Sequence, residues 1–269
     1  MQPVFLDLAG PAPALRFAVL HRAQTRLAKG HILYVHPLAE EMNKSRRLVA
    51  QQARQLAKMG WNVLIPDRLG CGDSPGDPGQ ASWHDWVNDV QRSAAWLKSL
   101  GPASEVWLWG LRAGALLALQ AGAQIGCTRY ILWQPQLSGA MVLQQFLRLR
   151  VASLALAGQP GATTAAVRQQ IREAGVAEIA GYEVSEGMAA GLETADVKQP
   201  LPGARVLWME VSSTAELQPA SKRVLDAWTS AGTEVRVQVV TGPLFWQTTE
   251  IEDAPHLRAA TDSLLGEWA

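Results

Sequence analysis

The chain has 269 residues with 24 basic and 24 acidic side chains, so its formal net charge is zero. That balance lacks the electrostatic footprint of a nucleic-acid binder or a polybasic membrane-surface protein, and 48% hydrophobic residues exclude disorder as the overall state. Two cysteines, Cys71 and Cys127, are too few for a disulfide framework or a Cys-rich zinc site.

His31 to His36 is a short apolar run stopped by Pro37, which predicts a buried strand. Asn43 to Met59 follows with helical spacing, placing Leu48, Ala53, Leu56 and Met59 on one face, and Gly60 ends it. Trp61 to Asp67 reads as a strand, Ser82 to Leu100 as a helix, Glu105 to Trp109 as a strand and Leu111 to Gln124 as a helix. Arg129 to Trp133 is a further strand. From Gln136 to about Pro202 the strand rhythm stops, with helical pieces near 142–156 and 165–174. Strand Ala204 to Met209, helix Pro219 to Ala231, strand Glu234 to Val240 and a final helix over about 254–268 restore it. Such alternation implies a mostly parallel sheet covered on both faces. The expectation is one α/β domain over 1–269 with a lid-like insertion at about 136–202. Met1 to Asp7 shows no basic stretch leading into an apolar one, and apolar runs such as 113–128 are too short to span a bilayer. A cytoplasmic, non-membrane-spanning protein without nucleic-acid partners is expected.

Three segments carry a family resemblance. Asp67-Arg68-Leu69-Gly70-Cys71-Gly72-Asp73-Ser74-Pro75-Gly76 resembles the loop D-x-x-G-x-G-x-S-x-G of many α/β-hydrolases. Gly110-Leu111-Arg112-Ala113-Gly114 lies between an apolar strand and an apolar helix, where that fold carries its nucleophile elbow, G-x-S-x-G. His36-Pro37 stands where lipases and esterases have their oxyanion loop. Residues 36–47, 107–114 and 242–247 are closer still to exosortase A system-associated hydrolases of the second type. That resemblance implies an α/β-hydrolase fold and a bacterial exopolysaccharide and protein-sorting setting.

Acyl transfer on this fold needs a nucleophile, a base and an orienting acid. Both elbow glycines are present, but the residue between them is Arg112, and a guanidinium stays protonated and cannot attack a carbonyl. The base position after the last strand reads Thr241-Gly242-Pro243-Leu244-Phe245-Trp246, with His256 later at a helix start. After Met209 the only acids before Pro219 are Glu210 and Glu216. Other catalytic candidates are Cys71, in the Gly-rich loop, and His36 as its base, though the simpler reading of Cys71 is a small residue filling a tight loop. Ser74 is expected to shape its loop through the backbone, and Ser45 to face solvent or cap its turn. Five scattered histidines lack metal-binding spacing, so no metal and no cofactor is expected.

Glu40, Glu41, Asn43, Lys44, Arg46 and Arg47 crowd eight residues of a chain that is 18% charged. They form either a solvated helix start or part of the cleft at the carboxyl ends of the strands, facing Arg112. A buried Arg112 needs an acceptor, and Glu40, Glu41 or Asp67 can supply it. Trp109, Trp133, Trp208 and Trp246 either pack the core or line the cleft as flat faces for a ring or lipid chain. Two functions stay open: a hydrolase of an ester or acyl group with a rearranged site, or a non-catalytic protein. The latter would hold a small or glycan-related anion, or a protein partner, around Arg112, His36, Glu40, Glu41, Asn43, Lys44, Trp133 and Trp246.

Overall fold

The computed structural model describes residues 1–8, 15–101, 105–159 and 161–268. Its centre is an eight-stranded sheet in the order β1-β2-β4-β3-β5-β6-β9-β10. The strands are β1 (Gln2–Asp7), β2 (Leu15–His21), β3 (Gly30–Val35), β4 (Trp61–Pro66), β5 (Val106–Leu111), β6 (Arg129–Trp133), β9 (Arg205–Val211) and β10 (Glu234–Val240). From β4 to β10 neighbours pair in parallel, while β1 and β2 add an antiparallel edge. β3, β4 and β5 are buried at every position, which is why they read as unbroken apolar runs rather than alternating ones.

Helices α1 (Ala39–Lys58) and α8 (Pro255–Gly266) cover one face of the sheet; α2 (Trp83–Lys98), α3 (Ala113–Gln124) and α7 (Pro219–Ser230) cover the other. Alternation along β5 sends Trp107 and Trp109 to the α1/α8 side, where Tyr34, Trp61 and Trp133 meet them edge to face. α2 starts on a reciprocal cap: the Asp85 amide donates to Ser82 Oγ at 3.1 Å, and the Ser82 amide donates to the Asp85 carboxylate at 2.9 Å.

The stretch between β6 and β9 is not purely helical. It carries α4 (Gly139–Leu156), α5 (Thr164–Ala174), an antiparallel pair β7 (Val176–Ile179) and β8 (Tyr182–Ser185), and α6 (Glu186–Thr194). The hairpin and α6 escape a sequence reading because each strand is four residues long and set among polar residues. The insert is clamped from within: Arg168 of α5, itself buried, bonds both Glu186 and Glu193 of α6. The β1/β2 edge is likewise absent from the sequence reading. Among the described residues no helix is long and apolar enough to cross a membrane.

Candidate functional site: an arginine at the elbow

Three non-glycine residues at the carboxyl ends of β3, β5 and β6 hold left-handed backbone: Ala39 (φ 49°), Arg112 (φ 54°) and Gln134 (φ 42°). Strain of this kind persists where the surroundings over-determine it, and it gathers at functional sites. Arg112 (ψ −122°) is the N-cap of α3, with its amide donating to Trp133 O at 3.0 Å. The flanking glycines are sterically required. A Cβ on Gly110 would come 2.5 Å from Ala115 Cα, and one on Gly114 would fall against the Val35 and His36 carbonyl oxygens. The strand-to-helix turn of an elbow is therefore intact, with an arginine at its tip.

The Arg112 side chain turns inward and is held on three sides. Nε donates to Glu41 Oε1 at 3.1 Å. The Gln136 amide, turned so that its oxygen faces the guanidinium, accepts from Nη1 at 2.9 Å and Nη2 at 2.5 Å. The guanidinium carbon also sits 5.2 Å from the Trp246 ring centre, a cation–π distance. Burial pushes the Glu41 carboxyl above its ordinary value, and the Arg112 charge and hydrogen bond pull it back. Of the three acceptors expected for Arg112, Glu41 is the one that meets it. Glu40 is exposed and accepts from Tyr182 Oη at 2.7 Å, while Asn43 Nδ2 donates to the same hydroxyl at 3.0 Å. Those two polar residues of α1 thus strap the helix to the insert hairpin. Asp67 instead takes Arg46 Nη2 at 3.0 Å and the Asp73 amide at 3.0 Å.

His36 is buried, and both ring nitrogens lack a hydrogen bond. Burial holds its pKa well below the ordinary value, helped by the Arg68 and Arg46 charges. The ring is therefore neutral, and its 3.8 Å approach to Asp67 is a contact and not an ion pair. No hydrogen bond links it to Cys71, whose thiol is itself pushed up by burial, with Arg68 opposing. A protonated thiol without a base is a poor nucleophile. Arg68 is buried and donates from Nη1 to His36 O at 2.9 Å and from Nη2 to Pro37 O at 2.8 Å, stacked 4.0 Å over Trp86. It fixes the loop after β3, and its place directly after Asp67 was the available signal.

The three base and acid candidates, His256, Glu210 and Glu216, lie in different surroundings. His256 is exposed, with Nδ1 3.1 Å from Thr241 O. Glu210 is buried and accepts from Trp208 Nε1 at 2.9 Å and the Gln218 amide at 3.2 Å; Glu216 is exposed. Ser74 shapes its loop as expected, donating to Asp67 O and accepting from the Phe17 amide. Ser45 departs from expectation: it is buried and donates to Met42 O, because it lies one turn before Leu48 on the inner face of α1.

Two cavities lie under the insert. One of about 640 Å³ is floored by Leu38, Met42, Trp86, Leu143 and Met188, with Cys71, Asn43, Tyr182, Glu178 and Glu183 also on its walls. A smaller one of about 300 Å³ is lined by Glu40, Glu41, Lys44, Ala113, Gln136 and Trp246, the last being 2% exposed. Leu38, Val142 and Phe146 form part of the wall of both. Trp133 lies in neither wall. It is fully buried, packs on Trp109 and Phe245, and donates to Thr261 Oγ1 at 3.0 Å, so a ligand-lining role is replaced by a core one. Trp109 and Trp208 are fully buried too. Among the described residues no group of His, Cys, Asp and Glu could hold a metal ion.

Solved structures of the same shape are α/β-hydrolases. Est1E from Butyrivibrio proteoclasticus, solved with ferulic acid bound, is 15% identical with a TM-score of 0.69 over 98% of each chain. Alpha/beta hydrolase domain-containing protein 10 from mouse is 14% identical, TM-score 0.61, over the whole of both chains. XC6422 from Xanthomonas campestris, described as an a/b serine hydrolase without lid, is 16% identical, TM-score 0.55, over 99% of this chain and 94% of that one. At these identities the likeness shows the fold, which is the α/β-hydrolase fold. A comparison with curated proteins finds no match. The family model of the serine aminopeptidase S33 hydrolases, Hydrolase_4, matches residues 27–174, more than half of the chain and a span that holds the loop after β3, the Gly-rich loop and the elbow. The chain belongs to that family.

Proposed function

We propose that this chain binds an anionic ligand at its elbow and does not catalyse acyl transfer. The observation that carries the reading is Arg112 itself, held at the tip of an intact elbow by Glu41 and Gln136 beside a cavity of about 300 Å³. The Ala115 amide bonds the Arg112 carbonyl at 3.1 Å, the amides before it have no carbonyl one turn back to meet, and the helix dipole adds about half a positive charge there. Such an end suits phosphate or carboxylate, and a guanidinium adds paired donors to the same anion. Glu41 is then an internal stand-in that an incoming anion displaces, and Lys44 on the same cavity wall adds a second positive charge.

The resemblance to exosortase A system-associated hydrolases supports a glycan-related ligand, such as a uronic acid or a phosphorylated sugar, in an exopolysaccharide setting. The apolar floor of the neighbouring cavity supports a ligand with an apolar portion. Thermal-shift titration with phosphorylated sugars, uronic acids and ferulic acid, on wild type and Arg112→Ala, tests the reading. An anion at 100 times its Kd stabilises the wild type by about 2.7 kcal/mol and leaves Arg112→Ala unmoved. Equal responses of the two proteins, or no response of the wild type, would refute it.

A further inference from the structure

A second concentration of charge lies away from the elbow. A cleft of about 370 Å³ opens between the end of β2, the last turns of α1 and the start of α8, within the size range of small-ligand sites. Four cationic side chains line it: Arg22 after β2, Arg54 and Lys58 on α1, and Arg258 on α8. Arg258 is paired with Asp253 at 2.9 Å. Arg22, Arg54 and Lys58 have no carboxylate partner among the described residues, in a chain whose formal net charge is zero.

Local helix chemistry does not account for this. The dipole favours Lys58 in the last turn of α1, but Arg54 stands four residues before it, and like charges at that spacing disfavour a helix. Arg22 and Arg258 come to the cleft from other elements. Behind the cations lies His21, 2% exposed and on the cleft wall, with Nε2 lacking any hydrogen-bond partner. Burial lowers its pKa to about 4, with the chain's terminal amine and Arg54 adding to the shift, so the ring is neutral at ordinary pH. A buried donor-capable ring and unpaired cations converge on one cleft, and buried polar groups are normally satisfied. A compact polyanion supplies acceptors to all of them at once.

We propose that this cleft is a second ligand site, built for a phosphate or diphosphate group. None of its residues lines the cavities under the insert, so the site stands or falls independently of the elbow reading.

Isothermal titration with inorganic pyrophosphate, and sedimentation with vesicles of phosphatidylcholine and phosphatidic acid, distinguish a free phosphate compound from a lipid headgroup. The expected result is binding of at least one, weakened about tenfold or more in Arg54→Gln and in Lys58→Gln and unchanged in Lys222→Gln on α7. Arg54 and Lys58 are exposed, so these variants keep the fold. In the wild type, the His21 ring signals in an NMR spectrum shift on saturation with whichever anion binds. Absence of binding at millimolar pyrophosphate and to the vesicles overturns the proposal. So does binding that Arg54→Gln and Lys58→Gln leave intact, or that leaves the His21 signals unmoved.

Discussion

Arg112 and Glu41 are the pair on which the elbow reading turns. Each holds the other, so each is also the other's competitor for outside ligands. Replacing Glu41 by Gln removes the internal anion but leaves Gln136 and Trp246 to orient the guanidinium. Glu41→Gln is expected to tighten anion binding by about tenfold, since a charge-assisted hydrogen bond to be displaced is worth about 1.5–3 kcal/mol before solvent screening. The Kd of the best anion from the thermal-shift series, measured on both proteins, checks this; weaker binding by the variant would mean that Glu41 belongs to the ligand site. Arg112→Ser restores a hydroxyl at the elbow but no base, because His256 is exposed beside Thr241 and Glu210 is tied to Trp208. The single variant is expected to hydrolyse short-chain esters no faster than buffer. Much of this site was legible in the sequence, because the G-x-x-x-G frame and the cluster at 40–47 name the residues that meet. Gln136 was not, because an amide at a strand end carries no spacing signal. For Trp133 the sequence left core and cleft both open: on a central strand both faces are buried, so alternation says which side a ring takes but not whether a ligand reaches it.

At the scale of elements, the alternating strands and helices could be read because each strand is an apolar run stopped by Pro, Gly or charge. The insert resists such reading, since its hairpin is held by packing and by polar straps more than by pattern. The Arg168 clamp is the clearest strap: one guanidinium bonds two carboxylates on α6. Both carboxylates are partly exposed, so screening trims the gain to about 1 kcal/mol. Arg168→Leu is expected to speed hydrogen exchange in α5 and α6 while leaving β3 and β5 unchanged; uniform protection across the insert would contradict the clamp. The Ser82 cap offers a second test. Ser82→Ala removes the side-chain acceptor for the Asp85 amide and is expected to cost about 1 kcal/mol, or about 2–4 °C in Tm.

For the whole molecule, neutral buried histidines tie stability to pH. His21 and His36 are both lowered in the fold by burial, whereas in the unfolded chain they protonate near 6.5. Between the folded and unfolded values the unfolded state binds more protons, so stability rises with pH there and falls as pH drops below 6.5. For His21 the loss is complete near pH 4. Glu41 and Asp262, raised by burial, contribute the opposite slope as pH climbs above their ordinary values. The His21 share is isolated by comparing urea unfolding at pH 7 and pH 5 for wild type and His21→Gln, with the variant expected to lose less stability on acidification. An identical loss in both proteins would show that His21 is not held neutral.

The fold and family are those of hydrolases, while Arg112 at the elbow is ion-paired with Glu41 and Glu210 is hydrogen-bonded to Trp208. Fold does not fix function, and the sharpest test is whether the elbow turns over an ester. Steady-state hydrolysis of a short-chain p-nitrophenyl ester by the wild-type protein is expected to match the buffer rate. Turnover above that rate, abolished by substituting Cys71, His36 or Arg112, would contradict the account.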